Sequence, residues 1–574
     1  MDATVLGNSS LDRFDVLVIG SGAGGAAVAA ALTKLGKSVL VLEAGANFFD
    51  GLDDPAAGQP VPRYSNDELK LRRRFFIEPD PLVDPRTFRH READGDRTFT
   101  GDVNGMPKTV GGAAVHADVK TPRFMAQDFR LGTLLARQTG LDGTSFADWP
   151  VDYDALEPFY AVAERSLGVQ GKVGANPFEA PRKDPFPMPP GVPMYAALRV
   201  AEAAARLGYT AFPYPTAVTS RPYAGRPACV DCGFCGGFGC PTNAKGSPAL
   251  AFLRPALLSG RCQLRSQTRA VKLLRSGDGK TITGVEVIDP KGARQTLRAD
   301  RYVLAASPIE DARLLLLSDP GGPGVGNGSG LVGRNLMFKL YERIAIWPRR
   351  RADFGGPVNT ISVRDFYQRD GVHYGHLQSM GLEASYGDIV QYLKERFDQS
   401  RIRSLRPVRG LVRVPAIAAA RIFGNARIFQ GLLEDMPYPE NRVLYDPIHP
   451  RRISVQYRYA AELHERRRAF RAMIKQGLGR HRSFFLHQAP ALSLSHGCGT
   501  LRFGSDPRTS VFDPSCRAHS VDNLYVADAS FMPSSTGINP SLTIAANALR
   551  VADSVLAAAA FESGAQRSLQ HGQR

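Results

Sequence analysis

Residues 14–43 constrain this chain more than any other stretch. Phe14–Ile19 (FDVLVI) is a short apolar run rich in Val and Ile, the pattern of a parallel strand buried on both faces. It runs into Gly20-Ser21-Gly22-Ala23-Gly24-Gly25, then an Ala-rich helical stretch, then a second strand, Ser38–Leu42 (SVLVL), that ends at Glu43. Strand, glycine turn, helix and strand in this order form a βαβ unit. Gly20 permits the tight turn, Gly22 lets the backbone approach a pyrophosphate, and Gly25 lets the helix pack closely on the sheet. The helix that opens at Ala23 offers free N–H groups and a partial positive charge to phosphate. Glu43, 18 residues beyond Gly25, is placed to accept hydrogen bonds from ribose hydroxyls. The unit predicts an α/β fold with a dinucleotide at its glycine turn.

The turn alone does not separate NAD from FAD. No second strand–glycine–helix unit follows: Gly324–Gly330 (GVGNGSG) comes after DPGGP and leads into no Ala-rich helix, so it reads as a loop. A chain with one dinucleotide site either uses NAD(P) on a dissociable substrate or holds a flavin that passes electrons onward.

Hydrophobic and charged residues make up 43% and 22% of the 574 positions, which excludes disordered, collagen-like and disulfide-scaffold chains. The length suggests about two to four domains. The net charge of +17 suits nucleic acid, an anionic membrane surface or an acidic partner, and equally an Arg-rich genome. No base-stacking aromatic stripe accompanies the charge, so nucleic acid is not expected. No apolar run approaches the roughly 18 residues that span a bilayer, and no signal peptide is visible. Of seven Cys, four crowd into Cys229–Cys240, unlike a secreted disulfide framework. The expected location is therefore cytoplasmic or peripheral to the inner membrane, with export beside a partner subunit an alternative.

Near the C-terminus stand Ser495–Thr500 (SHGCGT), Tyr525–Ser530 (YVADAS) and Thr536–Pro540 (TGINP). Together with FDVLVIGSGAGG, Lys108–His116 (KTVGGAAVH), Val303–Ser318, Gly330–Met337 and Glu434–Pro447, they make the chain resemble the glucose–methanol–choline (GMC) family of FAD-dependent oxidoreductases. The likeness is nearest in flavour to the bacterial sugar and alcohol dehydrogenase and pyranose oxidase branches. It implies a Rossmann-like FAD-binding domain (1–125, 226–337 and 495–561) interleaved with a substrate domain (338–494) built on a mixed or antiparallel sheet with helices. Residues 126–225 then form a connector with substrate-side helices, and 562–574 a tail. The resemblance implies that His496 faces the flavin and the reacting carbinol, with Asn539 as its partner. It places Gly111 and Gly112 on the cofactor, Asp528 and Ala529 at the ribityl-pyrophosphate region, and the Val271 backbone near the adenine. His116 lies in Gly111-Gly112-Ala113-Ala114-Val115-His116, closed by Thr121-Pro122-Arg123-Phe124. Pyranose oxidases of the family carry a flavin-bonded His in a similar segment, so His116 is either a covalent anchor or a histidine packed near the ring.

The chemistry follows from the residue types as well. Oxidising an alcohol to a carbonyl requires loss of the hydroxyl proton and of a hydride. A neutral imidazole accepts a proton at physiological pH, with help typically worth roughly 10²–10⁴ in rate. An amide does not titrate, but its NH₂ can donate to a developing alkoxide, or its C=O can orient the hydroxyl. The expectation is FAD-dependent oxidation of an alcohol, including a sugar hydroxyl, with electrons leaving to a non-NAD acceptor: a partner subunit, cytochrome or quinone. The alternatives are an oxidase that reduces O₂ and a hydroxynitrile lyase of the same family.

Cys229-x₂-Cys232-x₂-Cys235-x₄-Cys240 before Pro241 admits three readings: an iron–sulfur ligand run, a zinc site, or structural thiols. A cluster would favour a dehydrogenase over an oxidase. Arg401–Arg427 holds seven Arg and no acid, interrupted by Pro407 and Pro415. It reads as a solvated face of the substrate domain, against a membrane-surface or partner-docking element. Gly51–Gly101 is polar and predicted to form a lid, Phe186–Met194 a Pro-dense connector, and Glu562–Arg574 a frayed end.

Overall fold

The computed structural model describes residues 13–63, the strands Arg86–Arg89 and Arg97–Phe99, and residues 108–571, apart from 137, 139, 233–234, 237–238, 348–359, 384–385, 399, 401, 403, 424–425, 447, 449–452 and 480. Most of the predicted lid over 51–101 lies outside the described residues. The first elements are β1 (Phe14–Ile19), α1 (Ala23–Lys34) and β2 (Val39–Leu42), followed by α2 (Tyr153–Leu167), α3 (Tyr195–Ala205) and β3 (Ala211–Pro213). Next come β4 (Cys262–Arg265), β5 (Arg269–Arg275), β6 (Ile282–Ile288), β7 (Arg294–Leu297) and β8 (Ala299–Leu304). The second half contributes β9 (Lys339–Trp347), β10 (Ile361–Val363), β11 (Gly375–Glu383), β12 (Arg427–Glu434), α4 (Ala461–Gly477), β13 (Arg482–Phe485), β14 (Leu524–Val526) and α5 (Ser541–His571).

The nucleotide half is a five-stranded parallel sheet in the order β14-β8-β1-β2-β4. β1 and β2 are buried along nearly their whole length, as an apolar run without alternation demands. Small residues of α1, Gly24 to Ala29, are all buried, which lets α5 pack closely across it. β7, β6 and β5 form a separate antiparallel meander. The last helix extends to His571, into the stretch read as a frayed end.

The second half is a six-stranded antiparallel sheet, order β13-β9-β12-β11-β10-β3. Its edge strand β3 comes from the segment between the two halves. Alternation sorts its side chains. Leu340, Ile344, Ile361, Val363, Leu377, Phe429 and Leu433 pack on one face against α3 and α4, in a core shared with Val200, Phe470 and Ile474. The opposite face has a polar centre: Ser362, Gln378, Gln430 and Arg343 stand opposite one another across four strands. Thr360, Ser362, Gln378 and Gln430 are nevertheless buried. Burying hydroxyls and amides costs free energy unless they find partners, so this face is built to meet something polar.

Candidate active site

The glycine turn forms one wall of a cleft, with Gly20 to Gly24 and Glu43 lining it. Gly20 sits at φ +106, and a Cβ there would lie 2.2 Å from Ala305 O, so only glycine fits beside the end of β8. No side chain caps α1 at Gly22, which leaves the N–H groups of its first turn for an anion. Glu43 is more occupied than its ribose role implies. Its Oε2 accepts from Ser21 N (3.2 Å) and Ser21 Oγ (2.6 Å), and its Oε1 from Gly45 N (2.8 Å). Burial raises its carboxyl above the usual range against these bonds. Glu43 therefore braces the turn while still lining the cleft.

Ser21 Oγ also accepts from Gly111 N (3.0 Å), which carries the second glycine segment onto the first. Gly112, Ala113 and Ala114 line the cleft. His116 ends the following 3-10 turn, is 4% exposed, and is not among the lining residues. At the far end the cleft is lined by Thr268, Arg269 and Ala270 rather than by Val271. Val271 sits at a bulge, because Ala270 pairs with Val287 and Lys272 with Glu286, leaving it no opposite residue.

Asp528 and Ala529 line the cleft where β14 ends. Asp528 Oδ2 accepts from Ser307 N (2.6 Å), and Oδ1 from Ser530 N (2.9 Å). Ser307, a non-glycine residue at φ +102, also lines the cleft; such strain persists where the surroundings hold it in place. Burial and the Asp528 charge push the neighbouring Asp311 carboxyl well above its usual range. Lys108, Ser307 and Arg313 joined the lining without any signal in the glycine motif.

His496 ends a 3-10 turn, Leu494–His496, between Ser495 and Gly497, both of which line the cleft. Its half-buried imidazole leaves Nδ1 shielded and with no hydrogen-bond partner among the described residues. Burial, then the charges of Lys339 and His376, hold it well below the usual histidine range. The ring is thus neutral at physiological pH, the form that accepts a proton. The acid limb of the kcat/KM profile is expected below pH 6.5, because protonation of this ring is disfavoured relative to a free imidazole. A limb above pH 7 would contradict this assignment.

The polar sheet face holds the loop that carries Asn539. His376 Nδ1 bonds Gly537 O (2.7 Å), Gly537 N donates to Tyr367 Oη (3.1 Å), and Lys339 Nζ donates to Ile538 O. Tyr214 Oη donates to Asn539 Oδ1 (2.8 Å), both groups buried. With the amide oxygen accepting from Tyr214, the NH₂ is available as a donor. Burial lowers Lys339 to about 8 and His376 to about 3. Arg364 is fully buried, its guanidinium 5.6 Å from the Tyr214 ring, with Nε and Nη2 unpartnered among the described residues. Tyr214, His376, Lys339 and Arg364 were missed from sequence because they reach the loop only through strand pairing. Tyr214→Phe is expected to lower kcat about fivefold to tenfold with cofactor content unchanged, the loss of one net hydrogen bond, as steady-state kinetics would show.

The cysteine run does not assemble into a ligand set. All four thiols are free, and no group of three or more His, Cys, Asp or Glu among the described residues is placed to hold a metal. Burial pushes Cys229 up to about 12 and Cys235 up to about 11. The Lys245 ammonium donates to Cys235 O (2.9 Å), placing a cation inside the loop. The iron–sulfur and zinc readings are therefore not supported, and the structural-thiol reading fits.

Two family models match this chain under the description GMC oxidoreductase, over residues 194–341 and 435–548, and a third, an NAD(P)-binding Rossmann-like domain, over 18–49. The chain is 31% identical to 6'''-hydroxyparomomycin C oxidase of Streptomyces lividus, covering 94% of this chain and 91% of that one. It is 27% identical to the fructose dehydrogenase large subunit of Gluconobacter japonicus, over 94% and 97%. Formate oxidase of Aspergillus oryzae RIB40 superposes with a TM-score of 0.61 over 95% of this chain and 98% of that one, at 14% identity. The chain belongs to the GMC oxidoreductase family, and is an FAD-dependent oxidoreductase of alcohol or sugar hydroxyls. The cleft fits that cofactor, since an uncapped helix start, a glycine wall and an acid at the end of β2 converge on it. Among the described residues, no helix is long and apolar enough to cross a membrane.

Proposed function

We propose that the protein oxidises a CH–OH group of a polyhydroxylated substrate to a carbonyl, with electrons leaving to an acceptor other than NAD. FAD, when bound, supplies the hydride acceptor. His496 takes the hydroxyl proton on its ring nitrogen, and the Asn539 NH₂ steadies the alcohol oxygen as that proton leaves. Tyr214 fixes the amide's orientation, and the His376 and Lys339 contacts to residues 537 and 538 keep the loop in register. This reading is supported by a shielded His496, held neutral near Lys339 and His376, and by an Asn539 whose oxygen accepts from Tyr214 on a loop that Lys339 and His376 also hold. The buried hydroxyl, amide and guanidinium groups of the sheet face support a substrate rich in hydroxyls, such as a sugar.

Transfer to a partner subunit or membrane acceptor is supported by the likeness to a protein named as a dehydrogenase large subunit. Return of electrons to dioxygen is the second reading, favoured by the likeness to a named oxidase. Measuring H₂O₂ formed per substrate oxidised, beside turnover with an artificial dye, separates the two. A dehydrogenase is expected to give dye turnover at least about tenfold faster than peroxide formation. Stoichiometric peroxide at the dye-coupled rate would establish the oxidase instead, and flavin that never bleaches with substrate under anaerobic conditions would remove both.

A further inference from the structure

Residues 406–423 pack against the helix Tyr386–Asp398 and leave much of their aliphatic surface exposed. Ile402, Leu405, Val408, Leu411, Val414 and Ile417 recur at every third position, and each is between 39% and 68% exposed. Arg406–Val412 is a 3-10 helix, in which side chains three apart eclipse one another. Arg413–Phe423 continues as an α-helix with Ala416 its one buried residue. Period three lines up Val408 and Leu411 on the first helix and Val414 and Ile417 on the second, with Ile402 and Leu405 in the residues just before them. Single exposed aliphatic side chains are ordinary on a protein surface, but a stripe of this length marks an interaction site.

Arginine runs beside the stripe. Arg406, Arg409 and Arg413 neighbour its members in sequence, and residues 401–427 contain seven Arg with no Asp or Glu. The segment is anchored at its end, where the Phe423 ring packs 5.6 Å from that of Trp347 and 5.9 Å from that of Phe484. It is therefore a fixed, amphipathic feature whose apolar side faces outward. The exposures agree with the solvent-facing element expected from the sequence, and they show its charge interleaved with an exposed aliphatic ridge.

We propose that this segment seats the protein on an anionic lipid bilayer, the aliphatic stripe entering the boundary between headgroups and acyl chains while the guanidinium groups meet lipid phosphates. Two features favour lipid over a protein partner. Protein interfaces rely on Trp, Tyr, Met and Arg anchors, and of these only Arg occurs in residues 401–422. The charge is also of a single sign, which matches a surface of uniform opposite sign rather than the mixed rim of a protein interface. Apolar insertion combined with cationic attraction is the pairing that holds interfacial helices at membranes, and Arg stems lie along apolar surface while their heads stay in the polar layer. This seating is independent of the reaction proposed above.

Co-sedimentation of the holoenzyme with vesicles tests it. Binding is expected to phosphatidylcholine vesicles containing roughly one-third phosphatidylglycerol, and to be weakened by added salt. The double variant Leu411→Glu/Val414→Glu is expected to bind about a hundredfold more weakly, while dye-coupled turnover stays unchanged because neither residue lines the cleft. Three results would overturn the proposal. One is no binding to the anionic vesicles, which would leave a protein as the occupant. Another is equal binding by wild type and variant. The third is a dimer in size-exclusion chromatography that the double substitution splits, which would assign the stripe to a second copy of the chain.

Discussion

Replacing His496 by Ala is expected to lower turnover at least about a hundredfold while the protein still purifies with its flavin. The imidazole belongs to a turn between Ser495 and Gly497, which line the cleft, but it makes no hydrogen bond through Nδ1 that holds the fold together. Removing it therefore deletes a proton acceptor and leaves the cofactor cradle, which is built from the glycine turn, Glu43 and the end of β14. Stopped-flow measurement of the reductive half-reaction would localise the loss to substrate oxidation. A near-normal reductive rate in His496→Ala would take the imidazole out of the mechanism, and the task would then fall to the cluster around Lys339 and His376.

The second large effect is expected at Gly25. A Cβ there would lie 2.0 Å from Gly20 O and 3.1 Å from a Val18 methyl carbon, backbone on one side and packed core on the other. Neither neighbour can yield without moving α1 off β1. Gly25→Ala is expected to cost about 3 kcal/mol, at the upper end for overpacking, and to release the flavin, because the displaced helix start is the phosphate site. Thermal unfolding and the flavin-to-protein absorbance ratio after purification would read both effects. Unchanged stability with full flavin content would mean that the helix lies farther from the strand than the structure places it.

The nucleotide half was readable because its determinants are local. Gly20, Gly22, Gly25 and Glu43 sit within one βαβ unit, where spacing along the chain equals position in space. His496 and Asn539 stand out by their motifs, but the Tyr214 hydroxyl that bonds the Asn539 amide lies just past β3, 325 residues away in sequence. Glu43 was assigned to a ligand when much of its capacity is spent on Ser21 and Gly45, since a sequence does not show which hydrogen bonds a side chain already makes. The cysteines illustrate the converse. Close spacing in the chain suggested a ligand set, but among the described residues no group of three or more is placed to hold a metal, Cys235 is buried, and the Lys245 ammonium reaches into the loop.

The parallel sheet, the glycine turn and the family to which the chain belongs are legible in the residues alone, because apolar runs, glycines and spaced motifs act over a few residues. Tertiary structure alone decided which face of the antiparallel sheet is polar, which groups hold the Asn539 loop, and where arginine-flanked aliphatic side chains emerge. Those outcomes depend on pairing between strands far apart in the chain and on which surfaces packing leaves uncovered, and neither quantity is written in any local pattern of residues.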